Sequence, residues 1–214
     1  MHKTIRYAAI AGIQLIILGL FLTIINMQGG PKTLNDFQIL IYVIVFSFSL
    51  VFSIIFFWGF NIIGDKVHNN LLQVISHLFI FSSLIFHIVI LMPLKPLIFS
   101  IIFNPDLTYP MFLFIGSIGI LFGIGLIKLK KYFGMVAMSA GILEIIANIG
   151  YLIINLPKEV IGSLDYLMMG FTLPFISISG YLTVNLPIIP TLIIMSAYIL
   201  QIIILFKAYK IINV

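Results

Sequence analysis

The sequence predicts an all-α fold, a polytopic bundle of transmembrane helices. Of its 214 residues, 62% are hydrophobic and only 8% are charged, whereas about a quarter of the residues in a soluble domain carry charge. Apolar runs of about 20 residues recur along the chain, and a helix of that length crosses the hydrocarbon core of a bilayer. The runs lack the alternation of apolar and polar residues that is typical of membrane β-barrels.

Six apolar runs are predicted to cross the membrane, because each is long enough as a helix to cover about 30 Å of hydrocarbon. These spans are residues 7–27, 38–60, 71–92, 111–128, 132–155 and 187–208. The first span is followed by INMQGG, a poor cleavage site for a signal peptide, so it is expected to stay as an anchor. The spans use nearly the whole length, which predicts one integral membrane domain over residues 1–214.

A seventh apolar segment, residues 166–184, is interrupted by Gly170, Pro174 and Gly180. Hydropathy alone favours a crossing by this segment. With a cytoplasmic N-terminus and six crossings, eight of the 11 Lys and Arg residues lie inside and three outside, whereas a seventh crossing changes this to six and five. Since cytoplasmic loops are enriched in Lys and Arg, the sequence predicts six crossings plus a re-entrant or interfacial segment, with seven crossings as the alternative.

An internal repeat agrees with six crossings. The stretches FFWGFNIIGDK (56–66) and ILFGIGLIKLK (120–130) align with Gly59 on Gly123, and each ends a span in a short basic segment. IILFKAYK (203–210) has the same type of ending. Three helical hairpins that each return to one side of the membrane would give six crossings.

The stretch FGIGLIKLKKYFGMVAMSAGIL (122–143) resembles the hairpin turn of uncharacterised archaeal multipass membrane protein families. In those families a Gly-rich span end, a basic turn and a further apolar span recur. The families have no assigned activity, so the resemblance implies a membrane hairpin and transfers no functional residue to this chain.

Polar and small residues of the fifth span fall on one helical face, and we expect this face to lie against protein because lipid offers no hydrogen bonds. The face contains Gly134, Ala137, Gly141, Glu144, Asn148, Tyr151 and Asn155. A matching stripe of glycines lies on the fourth span, where small residues four apart allow two helices to approach closely. We therefore predict that spans four and five pair antiparallel through Gly116, Gly119, Gly123, Gly134 and Gly141.

The third span carries a second polar stripe that includes Ser83 and His87. Spans three and five run in the same direction in the six-crossing topology, which puts Ser83 at the depth of Glu144 and His87 at that of Asn148. If the two stripes face each other, these four residues form one cluster near the middle of the membrane.

Glu144 is the only acidic residue within a predicted span, and an ionised carboxylate in hydrocarbon costs several kcal/mol. Three interpretations are open. Glu144 is a proton or cation site of a carrier, with His87 as a partner for proton exchange; or it meets a cationic or polar group on another subunit; or it is protonated and hydrogen-bonded within its own bundle.

Several function classes lack their sequence signatures. With no cysteine the chain has no disulfide, thiolate metal site or cysteine nucleophile. The P-loop, Rossmann, HExxH and GxSxG motifs are absent, so we predict no catalytic residue, no metal and no cofactor. The net charge of +5 comes from basic residues at span ends, which the positive-inside rule explains without a nucleic-acid partner.

The sequence thus predicts a non-catalytic, multi-pass protein of the cell membrane with a cytoplasmic N-terminus. Its expected role is that of a small accessory or structural subunit, whose partners are the lipid bilayer and other membrane subunits or copies of itself. The alternative role is a small proton- or cation-coupled transporter that acts through Glu144. An intramembrane enzyme ranks third.

Overall fold

The computed structural model describes residues 2–27, 36–91, 105–154 and 188–211, and within these ranges all regular secondary structure is helical. The all-α class is therefore confirmed. The helices are α1 (His2–Met27), α2 (Asp36–Lys66), α3 (Asn70–Leu91), α4 (Pro105–Lys128), α5 (Lys130–Phe133), α6 (Met135–Ile154) and α7 (Ile188–Ile211).

The six long helices overlap the six predicted spans in order. Among the described residues, three helical stretches are long and apolar enough to cross a membrane: Lys3–Phe21, Val43–Lys66 and Leu192–Ile211. Three further apolar stretches are shorter: Asn70–Ile85, Leu113–Lys128 and Met135–Gly150. The predicted segment 166–184 lies outside the described residues.

The six long helices form a closed ring in chain order, which we call the six-helix ring. Helix α1 packs on α2, α2 on α3, α3 on α4, α4 on α6, α6 on α7, and α7 closes the ring against α1. Each helix therefore has two principal neighbours, and α5 is a short helix in the connection between α4 and α6.

Neighbouring helices in the ring run antiparallel. In the first pair, Gly59 of α2 lies against Ala8 of α1, and Phe56 lies one turn away against Gly12. Helix α7 runs along α2 in the same direction, because Phe56 contacts Tyr198 and Gly59 contacts Leu205. Helices α1, α3 and α6 consequently run one way, and α2, α4 and α7 run the other.

This arrangement collects basic side chains at one end of the bundle, which we call the basic end. The beginnings of α1, α3 and α6 and the ends of α2, α4 and α7 meet there. Eight exposed residues lie at this end: Lys3, Arg6, Lys66, Lys128, Lys130, Lys131, Lys207 and Lys210. With six crossings and a cytoplasmic N-terminus, these are the eight Lys and Arg residues that the sequence predicts inside.

Aromatic side chains fill much of the bundle interior. Phe57 of α2 stacks on Phe79 of α3, with ring centroids 4.5 Å apart, and both meet the edge of Phe122 of α4. Phe56 of α2 stacks on Tyr198 of α7 with a centroid distance of 5.4 Å. Such pairs contribute about 0.5–1.5 kcal/mol beyond their buried area, so they hold four of the six helices to a common centre.

Helices α4 and α6 pair antiparallel with their backbones in contact, as the spacing of the glycines predicted. A Cβ on Gly123 would lie 2.7 Å from the carbonyl oxygen of Gly141, and a Cβ on Gly141 would in turn meet the carbonyl of Gly123. Farther along the same interface, Gly116 lies against Leu152 and Gly119 lies against Asn148. Gly123 and Gly141 meet backbone atoms, so a side chain at either position would separate the helices, whereas Gly116 and Gly119 face side chains that would have to shift.

Gly134 has a different role from the predicted one. A Cβ there would meet no described atom within 4 Å, so Gly134 is not part of the α4–α6 interface. Its φ of 68° lies in the left-handed region, which glycine adopts without the steric cost that a Cβ brings. It ends α5 with its N–H donating to the carbonyl of Lys130, and α6 begins one residue later. The fifth predicted span is therefore broken near its start.

We expect Gly123→Ala to lower the free energy of unfolding by about 1–3 kcal/mol, the usual cost of an extra methyl group in a packed interior. The matched control is Gly150→Ala in α6, because a Cβ at Gly150 meets no described atom within 4 Å. That change should be neutral or stabilising by up to about 1 kcal/mol, since alanine favours a helix over glycine. Unfolding in mixed micelles measures both, and equal effects of the two changes would contradict the close approach of α4 and α6.

Candidate functional site

The candidate site is the carboxyl group of Glu144, which α6 places between α4 and α7. The side chain is 7% exposed. Each carboxyl oxygen accepts one amide N–H: Oε1 from Nδ2 of Asn148 at 3.0 Å, and Oε2 from Nε2 of Gln201 at 2.7 Å. The carboxyl group is thus bonded on both sides by neutral donors.

Asn148 is positioned by the helix itself. It follows Glu144 by one turn, and its Nδ2 donates to the backbone carbonyl of Glu144 at 2.8 Å as well as to Oε1. The side chain is fully buried, and it fits because Gly119 of α4 leaves space for the amide. Its Oδ1 is buried with no hydrogen-bond partner among the described residues, which leaves one acceptor atom unused beside the carboxyl group.

Gln201 completes the site and was missed by the sequence analysis. It lies in α7, is 1% exposed and contributes the shortest hydrogen bond to Glu144. The sequence did contain a signal, because Gln201 is a lone amide within the apolar run YILQIIILF. A polar residue in the middle of a span requires a polar partner in the bundle, and Glu144 is the complementary group.

Of the four residues predicted to form one cluster, the structure joins Glu144 and Asn148. Ser83 lies 3.4 Å from Ser53 of α2, measured between the two hydroxyl oxygens, and both side chains are buried. The principal neighbours of α3 are α2 and α4, whereas those of α6 are α4 and α7, so the two polar stripes face different helices. His87 belongs to α3, and its side chain lies outside the described part of the structure.

The site can bind and release a proton or hold a small cation, because a carboxyl group is its one ionisable member. Across the described residues, no three His, Asp or Glu side chains converge as ligands for a metal ion. The three site residues come from two helices that are distant in sequence, so the site exists only when α7 has packed on α6.

Comparison with protein-family models, curated proteins and solved structures gives no match to this chain. The fold and the site define the class without them: a helical protein whose described residues include three apolar helices that are able to span a membrane, with a carboxyl group buried among amides. The resemblance to archaeal multipass families stays a prediction.

A double-mutant cycle should detect the hydrogen bond between Glu144 and Gln201. Interhelical hydrogen bonds in membranes contribute about 0.6 kcal/mol on average and at most about 1.7 kcal/mol. We expect Glu144→Leu and Gln201→Leu to show a coupling energy within this range, whatever the sign of each single effect. The control pairs Glu144→Leu with Ser196→Ala, an exposed position on α7. Coupling no larger than in this control would contradict the direct contact.

Proposed function

We propose that this chain is a multi-pass protein of the cell membrane with six crossings. Its outer surface supports this, because large apolar side chains are exposed while polar ones are buried, the reverse of a water-soluble protein. Phe81 is 62% exposed and Leu192 is 59% exposed. Exposed apolar residues occur on all six long helices, and examples are Ile17, Phe48, Phe81, Phe114, Ile146 and Leu192. A lipid bilayer is the partner that such a surface fits.

The direction of the helices supports six crossings over seven. Since α6 and α7 are antiparallel neighbours, α6 ends and α7 begins at the same end of the bundle, opposite the basic end. The beginning of α1 and the end of α7 then both lie at the basic end, which favours an even number of crossings. The positive-inside rule then assigns the basic end, and with it the N-terminus, to the cytoplasm.

Within this topology we propose that the protein is a small proton- or cation-coupled transporter acting through Glu144. The observation that carries the proposal is the burial of this carboxyl group between α6 and α7 with amide donors on both of its oxygens. Intramembrane carboxyl groups that face the interior of a bundle are typical of ion pathways and proton relays. If Glu144 bound another subunit, its side chain would have to lie on the outer surface of the bundle. Its hydrogen-bond partners are instead Asn148 and Gln201 of the same chain.

A second candidate is the accessory or structural subunit. The short connection between α2 and α3, residues 67–69, and the four-residue helix α5 between α4 and α6 favour it, because these turns offer little surface for recognition outside the membrane. The exposed apolar faces could then contact other subunits or copies of the same chain as well as lipid. An intramembrane enzyme is a weaker proposal, since the site has one ionisable group and no paired nucleophile.

In proteoliposomes, we expect Glu144→Gln to reduce ion flux to the level of protein-free vesicles, because the amide cannot exchange a proton or balance a cation. Proton flux is followed with an entrapped pH-sensitive dye and sodium flux with a radioactive tracer. Ser117→Ala on the exposed side of α4 is the control and should match the wild type. Absence of any Glu144-dependent flux, with partner subunits at fixed stoichiometry in native mass spectrometry, would favour the accessory subunit instead.

Single cysteines test the topology directly, because the chain contains none of its own. Cysteines at Lys3 and Lys210 should both react with a membrane-impermeant thiol reagent from the cytoplasmic side. A cysteine at Lys95 should react from the opposite side. Labelling of positions 3 and 210 from opposite sides would show an odd number of crossings and refute the six-crossing topology.

A further inference from the structure

Gln201 presents both a donor and an acceptor at the end of one side chain, and that end faces Oε2 of Glu144. We infer that the ion bound at Glu144 is a proton, that it resides on Oε2, and that the Gln201 amide stabilises both protonation states. This inference rests on the proposed function, because it names the ion of the same site.

The two states differ by one rotation of the Gln201 amide. When Glu144 is ionised, Nε2 of Gln201 donates to Oε2, which is the arrangement observed at 2.7 Å. When a proton from water binds Oε2, the new O–H is a donor, and half a turn of the amide presents Oε1 of Gln201 as its acceptor. The last side-chain torsion of glutamine is broad and roughly two-fold, so both orientations are accessible.

Asn148 cannot make the same rotation, and this assigns the proton to one oxygen. Nδ2 of Asn148 donates to two acceptors at once, the backbone carbonyl and Oε1 of Glu144. Rotation would turn Oδ1 toward the backbone carbonyl oxygen of Glu144 and lose the hydrogen bond to it, even if the proton were on Oε1. Oε1 therefore keeps its N–H donor in both states, and Oε2 is the oxygen at which the proton binds and leaves.

The ligand set favours a proton over a metal cation. Hard cations are bound by several oxygen atoms, whereas both carboxyl oxygens here already accept an N–H group. The remaining free oxygen, Oδ1 of Asn148, lies against Gly119 of α4. A metal ion beside the carboxyl group would face two N–H donors, which repel a cation, whereas a proton requires only the rotation of one amide.

Charged groups on the helices that pack against α6 lie away from the site. Helices α4, α5 and α7 carry the basic side chains Lys128, Lys130, Lys131, Lys207 and Lys210, all exposed at the basic end. Lys207 is six residues from Gln201, about 9 Å along the helix axis. Asp106 and Tyr109 begin α4, ten or more residues before Gly119 and so roughly 15 Å or farther along the axis.

The tyrosines of these helices whose side chains are described have other surroundings. Tyr132 is exposed on α5, Tyr198 stacks on Phe56, and Tyr209 lies at the basic end of α7. Among the groups whose side chains are described, the two amides are thus the groups that bond the carboxyl of Glu144.

Infrared difference spectroscopy of the full chain in lipid nanodiscs tests the inference. Acidification should produce a carboxylic acid C=O band that Glu144→Gln lacks, together with a shift of an amide side-chain band that Gln201→Leu lacks. At constant pH and ionic strength, exchange of choline chloride for sodium or potassium chloride should leave the acid band unchanged. Loss of the band on addition of either cation would overturn the assignment to a proton, and this test needs no variant.

Gln201→Leu tests the role of the amide. Because leucine offers no donor to the carboxylate, we expect Glu144 to keep its acid band at the pH values where the wild type loses it. Ser196→Ala on the exposed side of α7 should behave as the wild type. Gln201→Asn keeps the amide group on a shorter side chain. In this variant, part of the acid band should again disappear at the pH values where the wild type loses it. If Glu144 titrates in Gln201→Leu as it does in the wild type, the Gln201 amide does not stabilise the ionised carboxylate.

The outcomes separate this inference from the proposed transport. If the carboxylic acid band changes in Gln201→Leu but the protein shows no measurable ion flux, the proton assignment is supported and transport is refuted. A sodium-sensitive band in a protein with Glu144-dependent flux refutes the proton assignment while leaving transport in place.

Discussion

Buried polar groups need hydrogen-bond partners, which hydrocarbon in the proposed bilayer cannot offer, and this constraint governs which side chains lie inside the six-helix ring. Ser53, Ser83, Glu144, Asn148 and Gln201 are all buried, although each is polar and each lies on an otherwise apolar helix. Their partners must come from neighbouring helices or from the backbone one turn away. The polar groups therefore select which helix faces meet, while many of the large apolar side chains remain exposed on the outer surface.

Close helix approach is what makes the carboxyl site possible. The Asn148 side chain fits between α4 and α6 because Gly119 has no side chain. The contact of Gly123 with Gly141 sets the distance between the two helices. A larger residue at Gly123 or Gly141 would move α6 away from α4 and alter its approach to α7, and one at Gly119 would displace the Asn148 amide. Packing residues that never touch Glu144 thus determine where its carboxyl group lies.

Local patterns in the sequence predicted local outcomes. The glycine spacing predicted the α4–α6 pair, and a separation of four residues put Asn148 beside Glu144 on one helix. Such patterns could not predict which distant helices meet, because the depth of a residue along its helix does not determine the direction in which its side chain points. Ser83 consequently pairs with Ser53, and Gln201 reaches Glu144. The break at Gly134 also escaped prediction, since the fifth span was predicted to begin at residue 132 and its helical face was counted from Gly134 itself.

The closed ring imposes an order on biogenesis. Helix α7 is synthesised after the other helices, yet it occupies the place between α6 and α1. Until it emerges from the ribosome, the carboxyl group of Glu144 lacks Gln201, and Gly12 of α1 has Phe56 of α2 as a neighbour but not yet Ile202. The earlier helices would form an open arc until α7 closes the ring and gives the carboxyl group of Glu144 its second amide donor.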